Sequence, residues 1–106
     1  MARSLIKVSP KPRRGEVIEI KTLISHEMES GFRHTNTGAA IPRDIITTFV
    51  ATYNGEEIFA AQLYPAIAAN PFITFYTTAR ESGVLEFRWT GDNGYAATEQ
   101  VKITVE

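Results

Sequence analysis

Two histidines, His26 and His34, are the residues of this chain best suited to hold a metal or move a proton near neutral pH. They lie eight residues apart with Glu27 and Glu29 between them. A metal could take both imidazoles and a carboxylate, and a metal-dependent enzyme on that basis predicts bound metal on elemental analysis. The spacing lacks the fixed geometry that His-Glu-x-x-His gains from one helix face. The plainer reading ends a strand at His26, hydrogen-bonded to backbone, and leaves His34 solvated. Other chemistries fare worse. There is no cysteine, which excludes thiolate nucleophiles, zinc–cysteine sites and iron–sulfur clusters. The glycines form neither a Walker loop nor a dinucleotide fingerprint, and no serine sits in a Gly-x-Ser-x-Gly elbow. Asp92-x-Gly94 lacks the further oxygen ligands of a calcium loop and reads as a hairpin turn. No catalytic residue, metal or cofactor is expected.

The elements that would position any site are strands. A first run spans Arg3 to Ser9 and is stopped by Pro10 and Pro12. In "GEVIEIKTLIS", Ile18, Ile20 and Ile24 share one face while Glu19 and Lys21 share the other. Asn54-Gly55, between two apolar runs, is a strong signal for a type I′ hairpin. Pro71 opens "NPFITFYTTA", a position where a strand tolerates proline. Leu85, Phe87 and Trp89 alternate with Glu86 and Arg88; a last strand over Tyr95 to Val105 turns Val101, Ile103 and Val105 inward. "YPAIAAN", 64–70, could form one helical turn. About seven strands in 106 residues predict an all-β, immunoglobulin-like sandwich in a single domain, 1–106.

Two features break the pattern. Residues 26–44, "HEMESGFRHTNTGAAIPRD", show no period, and structureless connections longer than about 12–15 residues are usually functional or disordered. "IITTFV" and "PFITFY" carry large apolar groups at neighbouring positions, on both faces of their strands. A sandwich strand has one face for the core and one for water. The second face therefore needs a cover: either the long loop folded over it, or a subunit interface.

Composition fits a globular protein, with 43% hydrophobic and 22% charged residues. Net charge is −1, so the molecule as a whole has no field to gather nucleic acid or anionic lipid. Five basic residues, Arg3, Lys7, Lys11, Arg13 and Arg14, precede the first acid, Glu16. No apolar run follows them that would serve as a signal peptide or span a bilayer.

"HEMESGFR", "GAAIPRDII", "ANPFITF" and "SGVLEFRWTGDNG", in that order, resemble the SoxZ family from about Lys7 to the end. The specific parts are His26-x-Met28-Glu29-x-Gly31, Gly38 with Ile41-Pro42, and Ala69-Asn70-Pro71 followed by Phe75. The resemblance implies an immunoglobulin-like sandwich that pairs with SoxY in the carrier of bacterial thiosulfate oxidation. SoxY bears the cysteine, on a flexible C-terminal arm, to which sulfur intermediates are attached. It further implies a non-catalytic, periplasmic subunit exported together with a signal-bearing SoxY. Other pathway enzymes would visit the complex, and a homodimer is possible when SoxY is absent.

The partner-binding residues expected on this reading are Met28, Phe32, Arg33, His34, Ile41, Arg43, Asn70, Phe72 and Tyr76. Adaptable apolar groups and arginine are enriched in interface cores. Arg33, His34 and Arg43 could also attract an anionic sulfur adduct. An independent small-ligand or carbohydrate-binding sandwich is the alternative; it requires an exposed aromatic platform at Tyr53, Tyr64 or Trp89.

Overall fold

Alternation along Val17–Ile24 sends Ile18, Ile20, Thr22 and Ile24 inward, each buried, and leaves the residues between them at the surface. Period-2 patterning of this kind builds the whole chain, whose computed structural model describes residues 3–65, 67 and 69–106. Seven strands form: β1 (Ser4–Lys7), β2 (Val17–Ile24), β3 (Ile46–Tyr53), β4 (Glu56–Gln62), β5 (Phe72–Thr78), β6 (Gly83–Gly91) and β7 (Ala96–Ile103). All pairings are antiparallel. One sheet has the order β1-β2-β5 and the other β4-β3-β6-β7. This is the expected immunoglobulin-like sandwich.

The core is aromatic at its centre. Phe49 of β3 lies 5.3 Å from Trp89 and 6.3 Å from Phe87, both on β6, and 6.1 Å from Phe75 of the opposite sheet. Phe59 of β4 stacks on Phe75 at 4.6 Å, so the two sheets are joined through rings. Contacts of this geometry add to simple area burial. Tyr53, 2% exposed, accepts the N–H groups of Arg80 (3.2 Å) and Glu81 (3.1 Å) on its hydroxyl, which donates to the Glu81 carbonyl. It thereby ties the end of β3 to the β5–β6 connection.

The turns follow their chemistry. Asn54 (φ 50°) and Gly55 (φ 86°) both adopt positive φ between β3 and β4, as a type I′ turn requires. Asp92–Gly94 form a 3₁₀ turn between β6 and β7. Part of the helical turn expected over 64–70 falls on residues 66 and 68, outside the described residues; within the remainder, the Ile67 N–H bonds the Tyr64 carbonyl at 3.0 Å.

The doubled apolar faces have two different causes. Between Ile46 and Thr48 the register against β6 shifts, a bulge that lets Ile45 and Ile46 both enter the core. On β5 no such shift occurs. Phe75 points in, and Phe72 and Tyr76 point out, 59% and 60% exposed. Of the two covers considered for this face, the long loop does not supply one, because that segment bonds to itself and leaves Phe72 and Tyr76 exposed.

Candidate functional site

Residues 26–44 form an arm whose two limbs pair with each other. Glu29 and Asp44 exchange both backbone hydrogen bonds at 2.8 Å, and the Ile41 N–H bonds the Arg33 carbonyl at 2.9 Å. The Thr35 N–H bonds the Ala39 carbonyl at 2.8 Å, and the Gly38 N–H closes the tip on the Thr35 carbonyl at 2.9 Å. Gly31 (φ 89°) packs so closely on the returning limb that a Cβ there would stand 3.0 Å from Arg43 Cβ. Every backbone group accounted for in this way goes to the arm itself, so residues 32–40 remain exposed.

The root of the arm is built by the residues that carried the family resemblance. His26 Nδ1 accepts the Met28 N–H at 2.9 Å. Met28, buried and in the left-handed region (φ 54°), accepts the Ile46 N–H on its sulfur at 3.2 Å. Asn70, also at positive φ (56°), accepts the His26 N–H on Oδ1 at 2.9 Å and donates its own N–H to the His26 carbonyl at 2.7 Å. The His26 ring, its side chain 7% exposed, meets Tyr95 edge-on at 4.7 Å and brings Nε2 to 3.9 Å from Asp44. Burial, with the nearby Asp44 carboxylate second, raises the Tyr95 phenol above its usual range. The root is a folding device, and both ring nitrogens of His26 are turned inward.

Two ion pairs brace the limbs. Arg33 forks onto Glu29 through Nε, at 3.0 Å to Oε2, and through Nη2 to Oε1. Arg43 grips Asp92 with Nε–Oδ2 2.8 Å and Nη2–Oδ1 2.9 Å, and the same carboxylate accepts the Ile45 N–H at 3.1 Å. The hydrogen bond from Arg33 holds the Glu29 carboxyl below its ordinary range; those from Arg43 and Ile45 do so for Asp92, while both guanidiniums are raised. The arginines expected to greet an anion are thus already met by carboxylates within the chain.

A second surface lies on the outer face of the three-stranded sheet. Register places Leu5, Leu23 and Phe72 in one row across β1, β2 and β5. Leu5, Phe72, Tyr76 and Val17 are all more than half exposed on this face. The Tyr76 hydroxyl donates to Glu19 at 2.9 Å, which raises the phenol. At the end of the row an open groove of about 410 Å³ runs past Arg3, Leu5 and Leu23 to Asn70 at the arm root.

The nine expected contact residues divide cleanly. Met28 is buried and Asn70 bonds the root, so both support the arm from within. Phe32, 78% exposed, and His34 lie on the arm with half-buried Ile41 beside them; Arg33 and Arg43 brace it. Phe72 and Tyr76 belong to the sheet face. Sequence reasoning missed Asp92, read only as a turn, and missed Leu5, Val17 and Leu23, whose outward alternation on β1 and β2 was the available signal. Of the aromatic platform residues, Tyr53 and Trp89 are buried and Tyr64 is exposed. No group of three or more potential metal-ligating side chains converges among the described residues.

These features define a class: an immunoglobulin-like sandwich that presents a braced arm and an uncovered apolar sheet face. Among solved structures, the superoxide reductase (neelaredoxin) from Ignicoccus hospitalis is similar, with TM-score 0.73 and 16% identity over 97% of this chain and 80% of that one. The sulfur carrier protein SoxY from Chlorobium limicola f thiosulfatophilum gives TM-score 0.70 and 9% identity, covering 97% of this chain and 78% of that one. A CARDB domain from Pyrococcus furiosus gives TM-score 0.58 and 14% identity, covering 100% and 88%. At such identities the likeness is one of fold. No curated protein matches the sequence significantly. Residues 6–102 match the family described as sulphur oxidation protein SoxZ, and the chain belongs to that family.

Proposed function

We propose that this sulfur-oxidation protein is the non-catalytic subunit of a two-chain carrier and pairs with SoxY, whose cysteine holds the sulfur intermediates of thiosulfate oxidation. One observation carries the reading beyond family membership: large apolar side chains stand open on the outer face of the three-stranded sheet and on the arm. Exposed apolar patches of several hundred Å² usually mark partner sites. The absence of cysteine fits a division of labour in which the partner supplies the thiol. Without SoxY the same surface favours self-association.

In this account the chain reaches the periplasm together with SoxY, and other enzymes of the pathway meet the pair transiently. The test is co-expression of the tagged chain with a candidate SoxY from the same organism, followed by purification and cell fractionation. A one-to-one complex recovered from the periplasm supports the reading. A chain that ignores SoxY, or that reaches the periplasm equally well without it, contradicts the corresponding part.

A further inference from the structure

The outer face of the β1-β2-β5 sheet carries its charge in an unusual way. Lys7 stands directly opposite Lys21 across the β1–β2 ladder, two cross-strand pairs beyond the Leu5–Leu23 row and so on the same face. The pair continuing that ladder brings Arg3 alongside Ser25, whose N–H bonds the Arg3 carbonyl at 2.7 Å. Like charges directly opposed on one face are unfavourable. Lys21 has an acid, Glu19, at 3.5 Å, and Glu19 is shared with the Tyr76 hydroxyl. Lys7 and Arg3 take no salt bridge among the described residues. The face is thus an apolar row, Leu5–Leu23–Phe72, set among three cations and one engaged carboxylate.

The rest of the described surface lacks this combination, although Phe32, Tyr64 and Ile67 are exposed elsewhere. None of the large apolar side chains left exposed lies on β3, β4, β6 or β7. The arm exposes Phe32, but its two arginines are neutralised by Glu29 and Asp92. Among the described residues, exposed apolar side chains and unpaired positive charge coincide on this face alone, in a molecule of net charge −1.

We infer that this sheet face is the seat of the stable partner, and that the partner meets it with an apolar centre flanked by carboxylates. This rests on the reading that SoxY is that partner and adds where and by what chemistry it binds. Apolar contact supplies affinity, and the opposed lysines supply orientation and speed of association. A stable interface buries at least about 1,000 Å² in total, so contact must extend beyond the leucine–phenylalanine row to Tyr76 and the cationic residues.

Affinity for purified SoxY is measured for the wild-type chain, for Leu5→Ala/Phe72→Ala, for Lys7→Glu/Lys21→Glu, and for Phe32→Ala on the arm. Each variant is first checked by thermal unfolding; should the charge-reversed one fail to fold, single Lys7→Glu replaces it. The sheet variants are expected to weaken binding more than tenfold, and charge reversal to flatten or invert its salt dependence. Phe32→Ala should stay within about twofold. If the wild type binds and the sheet variants bind equally well, this inference is wrong and the parent reading stands; loss on Phe32→Ala alone would move the interface to the arm. A wild-type chain that does not bind SoxY at all overturns both.

Discussion

His26 Nδ1 accepts the backbone N–H of Met28 at 2.9 Å, so one ring nitrogen of the imidazole does the work that an aspartate or asparagine oxygen does in an Asx turn. The bond lets a buried methionine hold a left-handed backbone, a conformation that costs roughly 1–2 kcal/mol for an L-residue. It also assigns the ring: Nδ1 is the unprotonated acceptor and the proton sits on Nε2, facing Asp44. The pairing of His26 with Met28 in the family pattern thus has a structural origin.

His26→Asn keeps an acceptor two residues before the Met28 N–H, whereas His26→Phe leaves that donor unsatisfied. The Phe variant should lose about 1–3 kcal/mol in chemical denaturation, and the Asn variant clearly less. Nitrogen-15 spectra of the imidazoles should show His26 protonated on Nε2 alone. Equal losses for the two variants would mean that ring packing on Tyr95, and not the hydrogen bond, sets the root.

Acid should loosen the arm. Asp92 and Glu29 are held below their ordinary carboxylate range in the folded chain. Their contribution is therefore fully present above that range, about pH 4, and is lost as pH falls below it through the depressed folded values. Backbone NMR shifts of Ile41, Arg43 and Ile45 followed downward from neutral pH should move together in that window. Asp92→Asn should remove the part of this response reported at Arg43 and Ile45 and leave the Glu29-dependent part. A response unchanged by the substitution would assign the acid step to other carboxylates.

Tyr53→Phe removes one oxygen and breaks the part-buried hydrogen bonds that it accepts from the N–H groups of Arg80 and Glu81. A loss of about 1–3 kcal/mol is expected, read as a lower denaturation midpoint with an unchanged slope. Affinity for SoxY should not change, because Tyr53 lies inside the sandwich. A variant as stable as wild type would show that water replaces the hydroxyl there.

The strands were legible because burial on one face imposes alternation, and Ile18, Ile20 and Ile24 or Leu85, Phe87 and Trp89 display it directly. Asn54-Gly55 was legible because few residue pairs tolerate two positive φ values. The bulge at Ile46 was not, since an extra residue in a strand leaves only a doubled apolar pair, which a two-faced strand such as β5 produces equally. The arm was legible as an exception but not as a paired structure: its limbs are held by scattered backbone bonds and by Arg43 reaching Asp92, forty-nine positions along the chain. Distance in sequence also hid the sheet face. Leu5, Lys7, Lys21, Leu23, Phe72 and Tyr76 come from three separate strands, and only the register of the sheet makes them one surface.

Partnership with SoxY is tested most directly by isothermal titration of the purified chain with purified SoxY, with the mass of the product measured in the native state. A saturable one-to-one complex that retains the SoxY cysteine is expected, with binding weakened by salt. A chain that shows no heat and no complex at SoxY concentrations of tens of micromolar would contradict that partnership.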